Sequence, residues 1–381
     1  MRVYLDCNAT SPLRPEARAA MLSALEAPAN PSSVHAEGRQ ARHLVEEARA
    51  TIAGFAGAAP EDVTFTSGGT EANTLALVGS LQAAAEQGQR FTRLIVSAIE
   101  HDSVLNAARR AAELFPGLRV SELAVTPEGT IDPQALEAHL REGKGRALVS
   151  VMAVNNETGV IQPLAAIAAT CAQHGARLHA DAVQAAGKIP ARLADLGADI
   201  ITFSAHKVGG PQGAGALVAK QGVRIAPQIV GGRQERGLRA GTEATAAITG
   251  FAAALKALTA PPPALRDELE RRLRDACPDA VVFGSDSPRG VHTTRIAAPR
   301  GPAETLVIAL DLDGFSVSAG SACSSGRVAR SHVLDAMGID PDLARCAIRI
   351  STGWQTTQQD IEAFAGAWGK IVTRARSRAA A

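Results

Sequence analysis

Residues 199–213 read DIITFSAHKVGGPQG. Residues 199–203 are an apolar, partly β-branched run that reads as a buried strand. The run leads directly into Ser204, Ala205, His206 and Lys207, after which Gly209, Gly210, Pro211 and Gly213 force an irregular turn. A lysine at a strand end, between small residues and glycines, is oddly placed for a solvated surface lysine. Two readings follow from the stretch alone. Lys207 caps the strand by bonding nearby carbonyls, or it is an amine held at a fixed point and partly desolvated. Such an amine can lose its proton and form a Schiff base with an aldehyde.

Upstream the same strand–turn–helix order repeats. Strands are expected at residues 63–66, 93–98, 118–125, 146–154 and 177–181, with a last one after the lysine at 214–219. Helices are expected at 15–25, opened by Pro15, and at 38–53, 71–78 and 167–175, with another opening at Glu100, His101, Asp102 and Ser103. Strands alternating with helices give an α/β fold, a mostly parallel seven-stranded sheet covered on both faces. Ligands of such sheets sit beyond the carboxyl ends of the strands. His101, Asn156, Asp181 and Lys207 all follow strand ends. The turn Ser67-Gly68-Gly69-Thr70 feeds a helix and offers free N–H groups to an anion, a weak motif by itself.

Downstream, residues 229–242 (IVGGRQERGLRAGT) form a basic, glycine-rich loop, followed by a helix at 244–258. Three prolines at 261–263 break the chain and mark a domain boundary. Beyond them, helices at 265–276, 303–312, 332–337 and 358–376 and strands at 280–283, 292–297 and 315–318 read as a smaller α+β domain.

The chain has 381 residues, 46% hydrophobic and 20% charged, enough to bury a large core. A net charge of +1 gives no electrostatic footprint for direct nucleic-acid or anionic-membrane binding. No stretch approaches a membrane span. MRVYLDCNAT lacks the basic start and apolar core of a signal peptide. The five cysteines (Cys7, Cys171, Cys277, Cys323 and Cys346) are widely spaced without a C-x-x-C pair. That argues against a disulfide framework or a metal site and for a reducing cytoplasm.

The aldehyde cofactor that uses a lysine such as Lys207 is pyridoxal 5'-phosphate (PLP), and each of its parts imposes a requirement. The pyridine nitrogen stays protonated beside a buried carboxylate, for which Asp181 in RLHAD is suited; a helix N-cap is an equal alternative on position alone. Gln184 can donate to the phenolic oxygen. His101 can stack on the ring or move a proton, or be structural. Thr70, Ser204 and His206 are candidate phosphate donors. Arg349 in AIRIST offers a fork of donors to a substrate carboxylate, the alternative being an ordinary ion pair. Cys323 lies among small residues and two glycines in SVSAGSACSSGRVARSHVL, residues 316–334. Arg327 and Arg330 can favour its thiolate, so it reads as an exposed reactive cysteine or as an incidental one.

The segments YLDCNAT, NPSSVH, TSGGTEAN, EHDSV, VNNETGVIQP, HADAVQAAGK, SAHKVGGPQGAGAL, RAGTEA, SAGSACSSG and AIRIST span nearly the whole chain. Together they resemble the cysteine desulfurases of the NifS/IscS type, in the class V aminotransferase family of fold type I PLP enzymes. The resemblance implies a large PLP-binding domain over residues 15–258 and a small α+β domain from residues 1–14 and 259–381 that carries the cysteine loop. It implies L-cysteine as substrate, L-alanine as product, and sulfur left as a persulfide on Cys323 for an acceptor protein such as an iron–sulfur scaffold. It assigns Lys207 as the Schiff-base lysine, His101 as the ring-stacking histidine, Asp181 and Gln184 as ring partners, and Thr70, Ser204 and His206 as phosphate ligands. Asn156 and Arg349 become carboxylate ligands. Thr242 becomes a phosphate ligand reaching into a neighbouring subunit, which implies a homodimer. Selenocysteine lyase, another class V PLP enzyme and a non-catalytic sulfur-transfer scaffold are the alternatives. Cys7 stands where the family usually has Asn, Trp354 where an arginine is usual, and GGRQERG replaces GGGQERG.

Overall fold

The computed structural model describes residues 2–26, 29–259, 262–299, 301–320 and 330–380. Its centre is a sheet of β1 (Val63–Thr66), β2 (Phe91–Ser97), β3 (Arg119–Leu123), β4 (Arg146–Ser150), β5 (Arg177–Asp181), β6 (Ile200–Ser204) and β7 (Gly215–Ala219). The spatial order is β1-β7-β6-β5-β4-β2-β3. β7 runs antiparallel to both β1 and β6, while β6, β5, β4, β2 and β3 are mutually parallel. The parallel strands therefore end on one side of the sheet.

Side chains alternate between the two faces with the period of two that a strand imposes. Ile95, Val149, Ile201 and Phe203 pack on one face with Ile52 and Phe251, which come from the helices Ala36–Ala56 and Thr245–Lys256. Leu94, Val96 and Leu148 point to the other face, against Leu77, Leu81, Val104 and Ala108. Burial on both faces explains why these strands read as nearly continuous apolar runs.

A second sheet has the order β10-β9-β8, all antiparallel, from β8 (Val281–Val282), β9 (Thr293–Ala297) and β10 (Ala347–Ser351). Val3–Tyr4 pairs with Phe315–Ser316. Leu5 packs in a cluster with Leu269, Leu273, Ile348, Phe364 and Trp368, so the first residues of the chain join its last third. Among the described residues no helix is long and apolar enough to cross a membrane.

Two expectations change and one element is new. The helix expected at 71–78 is two α-helices, Gly69–Thr74 and Ser80–Glu86, joined by a wider turn at Leu75–Gly79. The strand expected at 146–154 stops at Ser150. Val151 and Ala153 still bond to β5, but the Asn155 side chain then accepts from the Glu157 and Thr158 N–H groups and turns the chain. The helix Pro133–Glu142 went unanticipated, although the Asp132 cap and Pro133 at its first position are ordinary start signals.

Candidate active site

The carboxyl ends of β2, β4, β5 and β6 meet Asn8, Ala9 and Arg349 around one cavity of about 340 Å3. His101, Asn156, Asp181 and Lys207 all line it, together with Thr70, Gln184, Ser204, His206 and Arg349. Two expected residues are elsewhere. Thr242 is exposed and outside the lining, though its neighbours Gly241 and Glu243 edge a separate small cleft with Thr66 and Ser67. Cys323 lies outside the described residues.

Lys207 ends the single turn Ala205–Lys207 that follows β6. Its Nζ donates to the carbonyl oxygens of Asn8 at 2.7 Å and Ala9 at 2.9 Å. The neighbouring His206 has its pKa lowered to about 4, first by burial and then by the Lys207 charge. It is therefore a neutral imidazole at pH 7, with Nδ1 2.7 Å from Thr10 Oγ1.

Asp181 is the last residue of β5. Its Oδ1 accepts from the Val183 N–H at 2.9 Å and its Oδ2 from Asn73 Nδ2 at 2.8 Å. Each oxygen keeps a lone pair for another donor. Behind it runs a buried chain with one sense of donation. Ser150 donates to His179 Nδ1, His179 Nε2 to Thr202 Oγ1, Thr202 to Asn73 Oδ1, and Asn73 to Asp181. The sense follows from the ends, because a carboxylate only accepts and the Asn73 nitrogen only donates. Burial lowers the His179 pKa to about 4, consistent with a neutral ring carrying one proton.

The other Asn73 hydrogen goes to Ser103 Oγ at 2.9 Å, and Ser103 in turn serves His101. His101 Nδ1 accepts from the Ser103 N–H and hydroxyl as the N-cap of the helix Asp102–Leu114. The neutral ring therefore carries its proton on Nε2. One asparagine thus positions both Asp181 and His101. It lies within TSGGTEAN, yet nothing in the local sequence marks it, because its partners are 30, 108 and 129 positions away.

Arg349, on β10, donates to Asp6 Oδ1 at 2.7 Å and to the Asn156 carbonyl at 3.2 Å. Its buried Nε has no hydrogen-bond partner among the described residues. Asn8, which reads from sequence only as a turn residue, ties these pieces together. Its Nδ2 donates to the Asn156 carbonyl and Thr293 Oγ1, and its own carbonyl accepts from Lys207 and Gln184. The two departures Cys7 and Trp354 line one small cleft on the far side of Lys207. There Trp354 Nε1 donates to the Pro12 carbonyl and the Arg14 guanidinium lies over its ring.

The residues present fit PLP. Asp181 is an acceptor-only group at the cavity wall, Lys207 is a strand-end amine, and Thr70, Ser204 and neutral His206 supply donors on one side. Gly69 allows a close approach there, since a Cβ on it would lie 3.0 Å from Val183 Cγ2 and 3.5 Å from Ser204 Cβ. Arg349 brings a guanidinium to the same cavity wall, a charge suited to an anionic group.

Residues 3–364 match the family model for class-V aminotransferases. The chain is 38% identical to cysteine desulfurase IscS of Dictyoglomus turgidum, over 98% of this chain and 95% of that protein. The solved structure of a NifS-like protein from Rickettsia africae superposes with a TM-score of 0.87 at 34% identity, covering 98% of this chain and all of that one. The structure of SspA in complex with cysteine superposes at 0.81 and 30% identity, covering 92% and 98%.

Proposed function

The chain belongs to the class-V aminotransferase family, among its cysteine desulfurases of the NifS/IscS type, and from that premise we infer that it converts L-cysteine to L-alanine. The sulfur is held as a persulfide on Cys323 and passed to an acceptor protein, such as a scaffold for iron–sulfur assembly. The observation that carries this reading is the convergence of Lys207, Asp181, His101 and Arg349 on one cavity.

PLP supplies an aldehyde for amines and a protonated ring that draws electrons from the substrate α-carbon. When bound, it would be held covalently by Lys207, Asp181 would keep a proton on its ring nitrogen, Gln184 would donate to its phenolic oxygen, and His101 would pack against its ring. Thr70, Ser204 and His206 would bind its phosphate. The cationic Arg349, with Asn156, takes the substrate carboxylate and fixes the α-carbon over the lysine. Lys207 Nζ, steered by two carbonyl oxygens, takes the α-proton and returns it.

Cys323 acts as a thiolate on the substrate sulfur. An S–S bond forms, the substrate Cβ–S bond breaks with its electron pair left on carbon, and Cβ gains a proton. One cysteine and one thiol become one alanine and one persulfide, with no external oxidant. Cys323 must stay reduced to begin the cycle, which suits a cytoplasmic location. Thr242, exposed here, completes the phosphate site of a second copy, making the active unit a homodimer. Residues 15–258 form the PLP-binding domain, and residues 1–14 with 259–381 form the small domain. The separate apolar clusters around Phe203 and around Trp368 support this division.

The PLP-loaded protein, given L-cysteine and a dithiol, is expected to release alanine and sulfide in equal amounts. Sulfide with pyruvate, or no product, would overturn the assignment.

A further inference from the structure

Behind Lys207, in the turn that follows Asp181, lies a second lysine that the reaction described above does not use. Lys188 Nζ donates to Gln184 Oε1 at 2.5 Å and to Asn8 Oδ1 at 3.4 Å. A lysine nitrogen presents hydrogens to both groups, and backbone carbonyls only accept. These partners therefore decide which edge of each amide faces where. With its oxygen taken by Lys188, Gln184 has only its N–H2 edge to offer, and that edge donates to the Asn8 carbonyl at 3.1 Å. The same carbonyl receives Lys207. Lys188, Gln184, Asn8 and Lys207 are thus one hydrogen-bonded unit.

The charges facing Lys188 are mostly positive. Lys207 stands on the turn after β6 and Arg349 on β10, and Arg14 borders the same small cleft. His292, just before β9, is buried and held neutral. The Cys7 thiol is pushed up to about 12 by burial, so it supplies no negative charge. The carboxylate of this neighbourhood, Asp6, is bonded to Arg349. Burial, and then Lys207, lower the Lys188 pKa to about 7. Two amines share a space that disfavours two ammonium groups.

We propose that Lys188 is a positioning residue of this site: it fixes which edge of the Gln184 amide donates and, when it carries its charge behind Lys207, favours the unprotonated Lys207 nitrogen. This rests on Lys207 being the cofactor lysine, as argued above.

The test uses PLP-loaded protein without substrate and follows cofactor absorbance against pH. Removing a neighbouring positive charge stabilises the protonated nitrogen, so Lys188→Met is expected to raise the midpoint by about one pH unit. Lys188→Arg keeps the charge and is expected to leave the midpoint at or below the wild-type value. A methionine variant titrating with the wild type, or an arginine variant rising with it, would overturn the proposal. If Lys188→Met does not retain PLP, Lys188→Gln decides, since it keeps a donor for Gln184 without the charge: an upward midpoint supports the proposal and an unchanged one overturns it. Borohydride reduction of the same samples separates the two claims. Label on Lys207 with an unmoved midpoint removes only the role of Lys188. Label elsewhere removes the Lys207 assignment and this proposal with it.

Discussion

Asn73→Asp is a nearly isosteric change that tests the architecture behind Asp181. Asn73 is 1% exposed and its Nδ2 lies 2.8 Å from Asp181 Oδ2. The substitution replaces a donor with an oxygen that, when ionised, only accepts. Two unit negative charges at that distance repel by about 6 kcal/mol at an effective dielectric of about 20. Protonating one ordinary aspartate carboxyl at pH 7 costs about 4 kcal/mol. Protonation is the cheaper course, so the folded pair holds one proton between two carboxyls. The unfolded chain has lost that proton above about pH 4. The folded pKa is therefore raised, and the variant's stability is retained below about pH 4 and falls by about 1.4 kcal/mol per pH unit above it until the pair itself ionises. Urea unfolding of the apoprotein at pH 5 and pH 7 reads this directly. The deficit relative to wild type is expected to grow from about 1 to about 4 kcal/mol. A deficit equal at the two pH values would show that residue 73 and Asp181 are not in contact. With Asp181 sharing a proton, the variant is also expected to bind PLP more weakly at pH 7, read by titrating apoprotein fluorescence.

Arg349→Met removes two charge-assisted contacts worth about 1.5–3 kcal/mol each, so kcat/KM for L-cysteine is expected to fall about 150-fold or more while the PLP content stays normal. Cys323→Ser is expected to hold PLP and to change its spectrum on adding L-cysteine, yet to form no alanine, because a hydroxyl is far less ionised than a thiol near neutral pH. Full turnover by that variant would make Cys323 incidental. Sedimentation at concentrations where turnover is measured is expected to give a dimer, and Thr242→Ala is expected to weaken PLP retention; an active monomer would remove Thr242 from the site.

Much of this was legible in the sequence where the signal is local. The strand Val63–Thr66 and the helix Ala303–Leu312 fall where the residue pattern places them. The strand ends that carry His101, Asp181 and Lys207 are marked by apolar runs breaking into polar residues. What was not legible is held by tertiary contact. Asn73 reads as an ordinary residue near the start of a helix, and its function comes from Thr202, Asp181 and Ser103 on other elements. Asn8 reads as a turn former, but it meets Lys207, Gln184 and Thr293 only because residues near the chain start lie beside β10. Lys188 has the charge of a surface residue, and only its position beneath Gln184 shows otherwise. The early end of β4 is likewise a side-chain effect, Asn155 capturing two backbone N–H groups that apolar periodicity does not register.

The proposed chemistry requires Lys207 to be the amine that holds PLP in this cavity. Borohydride reduction of the PLP-loaded protein, followed by proteolysis and mass mapping, locates that amine. The expected result is one label per chain, on Lys207, lost in Lys207→Ala together with alanine formation. A label on Lys188, or a Lys207→Ala protein that still traps PLP and makes alanine, would contradict it.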